Sequence, residues 1–413
     1  MMKTALAQIN SIALLALLLG CSHTTNGEAT THAPPGSAAP VNVSQLDPGN
    51  YPTSPQPALG NAGSEDVGRL VEGRRMAPYV VGPWQVDPTL VGANSSGASI
   101  IAVPLDLSRA IWPPIAGGAY NLPFVVGFVS ERQIPGPNPQ MSLRNTVLRF
   151  LNPAEASQAA QNMTTAARNM PRIPSATPIV TEPERPLPIP GHPEATGTVL
   201  TFQEGAQTVR ELTALSAHGP YLLIQIARCA AGPDCEAQLA GHTLDQQVPL
   251  IDSFKATDPT DFPTLAVDPT GLVARTLPPP ADQATSTSGA AYPPAGALHL
   301  EADPVQTGPL LSAAGVDYVS VNLPTVYQAK DPSAAQTLAK AYGDLAAKMP
   351  ASQSASPVPG LPDSQCTRVA GSNGLVPRYW CLATAGRYTI KTIARQLDNA
   401  QQQMAAQYKI LMG

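Results

Sequence analysis

Asn152-Pro153-Ala154-Glu155-Ala156-Ser157-Gln158-Ala159-Ala160 opens a stretch that closes at Met170-Pro171. Asp331-Pro332-Ser333-Ala334-Ala335-Gln336-Thr337-Leu338-Ala339 opens another that closes at Met349-Pro350. In both, the prolines stand 18 residues apart (171 − 153 and 350 − 332). At an offset of 179 (331 − 152), Ala156, Ala160 and Ala167 fall on Ala335, Ala339 and Ala346, and Thr146-Val147 falls on Thr325-Val326. Asn or Asp accepts an unpaired backbone N–H at a helix N-cap, and proline suits the first helical position because it has no N–H to leave unpaired. An alanine-rich interior then continues the helix at little entropic cost. The spacing predicts one helix, made twice.

A second likeness follows each helix. Tyr221-Leu222-Leu223-Ile224-Gln225-Ile226-Ala227-Arg228 aligns with Tyr388-Thr389-Ile390-Lys391-Thr392-Ile393-Ala394-Arg395 at an offset of 167 (388 − 221). Two strand-like runs precede each: Thr198–Phe202 with Val209–Leu215, and Cys366–Val369 with Tyr379–Thr384. Gly205 and Ser372-Asn373-Gly374 supply the turns between them. The offsets differ by 12 (179 − 167), which places an insertion in the proline-rich loop Arg172 to Pro193 of the first copy. A Gln-containing helix ends each copy. Leu397, Ala400, Met404, Tyr408 and Leu411 recur at helical steps, and Leu239, Leu244, Val248 and Ile251 do so in the first. The fold class is therefore α+β: two duplicated units, each an antiparallel sheet (a three-stranded meander plus a further strand) covered by helices.

The ends of the chain add an address. Lys3, then an apolar run from Ile12 to Leu19, then Gly20-Cys21, is the order of a secretory signal peptide, and the run is too short to span a bilayer. Leu18-Leu19-Gly20-Cys21 resembles a bacterial lipobox, which implies cleavage at residue 20 and a diacylglyceryl group on Cys21. Residues 21–59 read as a disordered Thr/Pro-rich tether. A Pro/Ser/Thr linker at 276–296 separates a first domain at 60–275 from a second at 297–413. On this reading the protein sits at the outer face of the plasma membrane, with the membrane itself as one partner.

Beyond Cys21, the chain has Cys229, Cys235, Cys366 and Cys381, an even number in an exported protein, which favours disulfides. The local pairs 229–235 and 366–381 fit the repeat. At offset 167, Cys366 and Cys381 fall on Val199 and Ala214 of neighbouring strands, and cross-strand separations suit disulfide geometry.

Charged residues make up 13% of the chain and the net charge is −5, so no basic surface for nucleic acid is indicated. No nucleophile elbow, zinc helix or phosphate loop is present, and no cofactor or metal is implied. The histidines are scattered: His23 and His32 in the tether, His192 in the proline-rich loop, His218 at a strand turn, His242 on a helix and His299 ahead of the first strand of copy two. Glu182, Glu184 and Arg185 read as solvated loop charges. Asp258-Pro259, Asp261-Phe262-Pro263 and Asp268-Pro269 read as Asx-Pro turns rather than calcium ligands.

Gly68-Arg69-Leu70-Val71-Glu72-Gly73-Arg74-Arg75-Met76-Ala77-Pro78-Tyr79-Val80-Val81-Gly82-Pro83-Trp84-Gln85-Val86-Asp87-Pro88, with Gly49-Asn50-Tyr51-Pro52-Thr53 before it and Ala406-Gln407-Tyr408 near the end, resembles uncharacterised lipoproteins of mycobacteria, nocardiae and relatives. The resemblance implies a surface lipoprotein and brings no reaction or catalytic residue. Read by themselves, Arg69, Glu72, Arg74 and Arg75 form a solvated face. These readings lead to a non-enzymatic binding or scaffold module for an envelope lipid, glycan or protein partner. The alternative is a wall-facing hydrolase whose catalytic set meets only in the fold.

Overall fold

The computed structural model describes residues 41–93, 97–136, 139–172, 178–232, 234–371 and 376–413. Cys21, the signal peptide, the tether as far as residue 40 and the Ser372-Asn373-Gly374 turn lie outside the described residues. Along the first half run α1 (Glu65–Met76), α2 (Pro83–Val86), β1 (Ala98–Ile101), α3 (Leu107–Ala110), α4 (Pro113–Ala116), β2 (Phe124–Gln133), β3 (Met141–Phe150), α5 (Pro153–Ala167), β4 (Arg185–Pro188), β5 (Thr196–Glu204), β6 (Gln207–His218), β7 (Tyr221–Cys229) and α6 (Cys235–Asp252). The second half gives β8 (Ala290–Tyr292), α7 (Pro294–Ala297), α8 (Pro304–Ala313), β9 (Tyr318–Val321), β10 (Thr325–Gln328), α9 (Pro332–Lys348), β11 (Gln353–Ala355), β12 (Gln365–Val369), β13 (Arg378–Ala385), β14 (Tyr388–Ala394) and α10 (Leu397–Met412).

The strands form two seven-stranded antiparallel sheets with one topology. The first is ordered β1-β2-β3-β7-β6-β5-β4; read in the same sense, the second is β8-β9-β10-β14-β13-β12-β11. The α+β duplication holds and is larger than the expected four strands, because each copy also gains two strands on one side and one at the other edge. The repeated helices start as expected: Asn152 accepts from Glu155 N–H and Asp331 from Ala334 N–H, with Pro153 and Pro332 next in line. Ala156 and Ala335, and Ala167 and Ala346, are fully buried in both copies. Each sheet is sandwiched. Leu148, Leu222 and Ile224 face α5 on one side of the first, while Val147, Leu223 and Leu212 share the other side's core with α6.

Both disulfides are present. Cys366 and Cys381 are direct register partners with Cα atoms 4.1 Å apart, and Cys229–Cys235 joins the end of β7 to the start of α6. The counterpart of the first bridge differs from the expected one. Ala214 lies opposite Gly197, not Val199, which pairs with Leu212. The alignment slips by two residues between β12 and β13, where the connecting loop differs in length from the β5–β6 hairpin. A side chain at Gly197 would run into the Leu187 carbonyl, so copy one has a small pair where copy two has a bridge.

Two stretches expected to be spacers are built into the fold. Residues 41–59 belong to the expected tether, yet Leu46 lies in the core of the second sheet, Lys409 Nζ donates to its carbonyl, and Tyr51 Oη donates to Asn399 of α10. Residues 276–296 are the expected linker, yet they contain β8, and Leu277 and Tyr292 are buried. Arg74 of α1 donates to the Ser286 and Ser288 carbonyls, and Ser286 Oγ accepts from Ile100 N–H of β1. Both stretches are rich in proline, but a few apolar anchors and the backbone-binding Arg74 and Lys409 fix the path. His299 lies after β8, not ahead of the first strand of its copy.

Candidate functional site

The strands that correspond between the sheets are longer in the first. β10 matches residues 146–149 of β3 (325 − 179 and 328 − 179), so residues 141–145 extend past the repeated part. β2, β5 and β6 run on beside it, and β7 continues to Cys229. On the face that carries α5 the helix covers only the repeated part. The extension is left as an open cleft of about 1130 Å³.

The cleft floor is polar because inward positions on the extension and at its junction with the repeated part are charged. Glu131 of β2 and Arg144 of β3 are register partners; Arg144 Nε and Nη2 both reach Glu131 Oε2, at 2.9 and 2.7 Å. Two strands over, Arg228 Nε donates to Glu211 Oε2 at 2.8 Å and its Nη1 to Glu204 Oε2 at 3.0 Å. Trp112, between α3 and α4, donates from Nε1 to the other oxygen of Glu211 at 2.6 Å and packs edge-on against Phe202. Glu131 and Glu211 are 6% and 3% exposed, and such burial of carboxylates requires the paired cations. Burial alone would lower the Arg228 pKa, but the Glu211 and Glu204 carboxylates outweigh it and raise it. Cys229, which is bridged to Cys235, lines the cleft where β7 ends.

The histidines fall elsewhere. His299 Nδ1 lies 2.8 Å from Ser130 Oγ, a serine–histidine contact of the kind a hydrolase would need. Both residues are buried, and Ser130 follows Val129 on β2, so it faces away from the cleft. Trp84 and Phe128 pack edge-on against the imidazole. Full burial, then the nearby Arg132 charge, push its pKa down to about 3, against the opposing effect of hydrogen bonds to the Ala77 and Val80 backbone. His218 pairs with Asp252 at 2.7 Å, and His192 lies between Glu194 and Asp245 at 3.0 and 2.9 Å. His242 is exposed on α6.

Other charges are structural. Glu184 accepts from Met170 N–H and pairs with Arg172, while Arg185 belongs to β4. Asp258 and Asp268 accept from Thr260 and Ala274 N–H in turns. The face Arg69, Glu72, Arg74 and Arg75 is not solvated as expected. Glu72 is fully buried, accepts from Thr257 N–H and pairs with Arg75 and Arg149, and Arg69 donates to the Val125 carbonyl. α1 lies against residues 259–264 so closely that a Cβ on Gly68 would overlap the Phe262 carbonyl. Among the described residues no cluster of three His, Cys, Asp or Glu side chains could hold a metal ion, and no helix is long and apolar enough to cross a membrane.

Sequence reasoning missed the cleft. Its only signal was that strand-like residues continue past the aligned core, with Arg228 next to the last matched apolar position.

The chain belongs to the DUF7373 family. The N-terminal domain of unknown function (DUF7373) matches residues 59–267 and the C-terminal one residues 272–413. The boundary agrees with the packing, since Leu272 already lies in the core of the second sheet. No curated protein matches. The extracellular domain of PknH from Mycobacterium tuberculosis is similar to it at 15% identity and a TM-score of 0.30, over 44% of this chain and 97% of that one.

Proposed function

We propose that this member of the DUF7373 family is an exported, lipid-anchored binding module that takes a polar envelope component into the cleft of its first sheet. Cys21 carries the anchor at the outer face of the plasma membrane, and two acyl chains are enough for stable attachment. Two structural disulfides fit an oxidising, extracytoplasmic setting. The observation that carries the reading is the position of the cleft. Two copies of one scaffold share what folding needs; the strand extension with Glu131 and Arg144 belongs to one copy only, and there it meets Glu211, where copy two has Arg378, and Arg228, the counterpart of Arg395.

The floor suits binding better than catalysis. Each carboxylate there accepts from an arginine or Trp112, and the serine–histidine contact lies on the opposite face of β2. A lipid acyl chain is a poor occupant, because it would strip water from ion pairs without replacing their hydrogen bonds.

Native mass spectrometry of protein purified from its own envelope tests the reading. The expected result is an amino-terminal peptide beginning at diacylglyceryl-Cys21 and a polar adduct that Arg228→Ala loses. An unmodified amino terminus overturns the anchor; an absent adduct, or one that survives Arg228→Ala, overturns the cleft as the site.

A further inference from the structure

The cleft also specifies the class of its ligand, an inference that rests on the binding reading above. We infer that it takes a neutral oligosaccharide, seated against Trp112 and held by the Glu211–Arg228 and Glu131–Arg144 pairs.

Charge comes first. Four arginines line the cleft, and each already has a carboxylate: Arg144 has Glu131, Arg228 has Glu211 and Glu204, Arg210 has Glu236 at 3.8 Å, and Arg109 has Asp106 at 3.5 Å. A phosphate or carboxylate ligand would have to displace a carboxylate that the fold holds in place. A cation would meet the same obstacle from the arginines. A ligand with no net charge and many hydroxyls meets none, since it donates to carboxylate lone pairs and accepts from guanidinium N–H groups that the pairs leave over.

The second argument is the floor. It is made of β2, β3, β7 and β6. The β2–β3 and β3–β7 ladders run through it, and β6 is paired with β5 along Gln207–Leu215 and with β7 from Leu212 on. An extended peptide binds a sheet by adding to an edge, and the stretch open for that is the short Gln207–Arg210 end of β6. Over the rest of the floor recognition must come from side chains.

The third is Trp112. Its Nε1 is tied to Glu211 and its ring is set at 82° to Phe202, so it is a rigid, half-buried apolar plate beside charged hydrogen-bonding groups. An apolar plate next to paired donors and acceptors matches a sugar ring, which has C–H faces and an equatorial belt of hydroxyls. The volume of about 1130 Å³ holds several such rings.

The test uses the full mature chain and a partial acid hydrolysate of its own envelope polysaccharide, split by anion exchange into neutral and acidic pools. Saturation-transfer NMR is expected to show binding from the neutral pool. Trp112→Ala should weaken it at least tenfold and Trp112→Phe by less, with Glu211→Gln, which keeps the acceptor for Trp112, also weakening it. Thermal melts show whether each variant is folded, and Trp112→Phe keeps the test open if Trp112→Ala is not. Binding only from the acidic pool overturns the neutral class, and binding insensitive to Trp112→Phe and Glu211→Gln overturns the seat. If neither pool binds while the native adduct persists and is lost in Arg228→Ala, the saccharide fails and the binding module stands. If that adduct is absent too, both fail.

Discussion

Gln247 and Gln407 make the same pair of hydrogen bonds in the two halves of the molecule. Each amide oxygen accepts a backbone N–H, from Val81 at 2.8 Å and from Leu277 at 2.7 Å. Each amide nitrogen donates at 2.8 Å to the carbonyl two residues earlier, Tyr79 and Arg275. Both side chains are fully buried on the helix that closes their copy. The duplication therefore reaches upstream of the sheets, into the straps at 79–81 and 275–277 that lead to them. Gln247 also accepts from Asn145 Nδ2, whose own Oδ1 accepts from Gln225.

Replacing either glutamine by leucine should destabilise strongly, because the strap's N–H and C=O lose their partners where water cannot reach them. A buried unpaired group costs about 1–3 kcal/mol, so Gln407→Leu should cost about 2–4 kcal/mol and Gln247→Leu, which also takes one of the two acceptors of Asn145 Nδ2, about 3–5 kcal/mol. Urea unfolding measures both. A cost below that of an exposed substitution in either variant would show that the strap is held by packing alone.

These clamps also mark the limit of what the sequence discloses. The Asn152-Pro153 and Asp331-Pro332 starts are legible because cap, proline and first turn are neighbours in the chain. The Cys366–Cys381 pairing is legible because a repeat aligns it with neighbouring strands, though the slip from Val199 to Gly197 is not. Gln247 meets Val81 across 166 residues, and nothing local distinguishes it from a solvated glutamine. Glu72 misled for the same reason: charge predicts exposure until tertiary contacts bring Arg149 and the Thr257 N–H to it. The cleft was hidden because its four key charges come from four strands.

The two disulfides should contribute unequally. Cys366–Cys381 spans 15 residues and Cys229–Cys235 spans 6. Loop entropy then gives about 3 kcal/mol for the first and about 2 kcal/mol for the second. Paired alanine variants compared by chemical denaturation should show the larger loss for Cys366/Cys381, whose sulfurs also fill a buried position. The Cys229/Cys235 variant should lose less stability and more ligand binding, since that bridge holds Cys229 in the cleft lining.

Lys391 lies in a place where copy one is apolar. Its counterpart at offset 167 is Ile224, and the Tyr327 and Tyr342 beside it correspond at offset 179 to Leu148 and Met163. Glu301 enters from the segment after α7 and accepts from Lys391 Nζ at 2.9 Å and from Tyr327 Oη at 2.5 Å; the ammonium also faces the Tyr327, Tyr342 and Trp380 rings. Lys391→Met leaves Glu301 buried without its cation and should cost about 3–5 kcal/mol. Adding Glu301→Leu should recover much of that loss. A double variant whose loss equals the sum of the two single losses would mean that the pair is not coupled, and a double-mutant cycle reads this directly.

Acid should weaken the fold through His299. Its native pKa of about 3 lies below the ordinary value of 6.5, so the folded protein keeps the ring neutral while the unfolded chain protonates it. Between pH 6.5 and about 3 the unfolded state binds more protons, and stability must fall as pH falls, with a slope of up to about 1.4 kcal/mol per pH unit for one proton. Above pH 6.5 the contribution is constant. The cause is physical confinement: Ser130, Trp84 and Phe128 surround the ring, and Arg132 donates to the His299 and Glu301 carbonyls close by. His299→Gln removes the titration but also the ring packing, so it should be less stable than the parent at pH 7.5 and should lose less on acidification. The measurement is denaturation free energy of both proteins at pH 7.5, 6.0 and 4.5. Parallel curves would show that the acid sensitivity arises elsewhere, whereas curves that converge toward pH 4.5 assign it to this one buried imidazole.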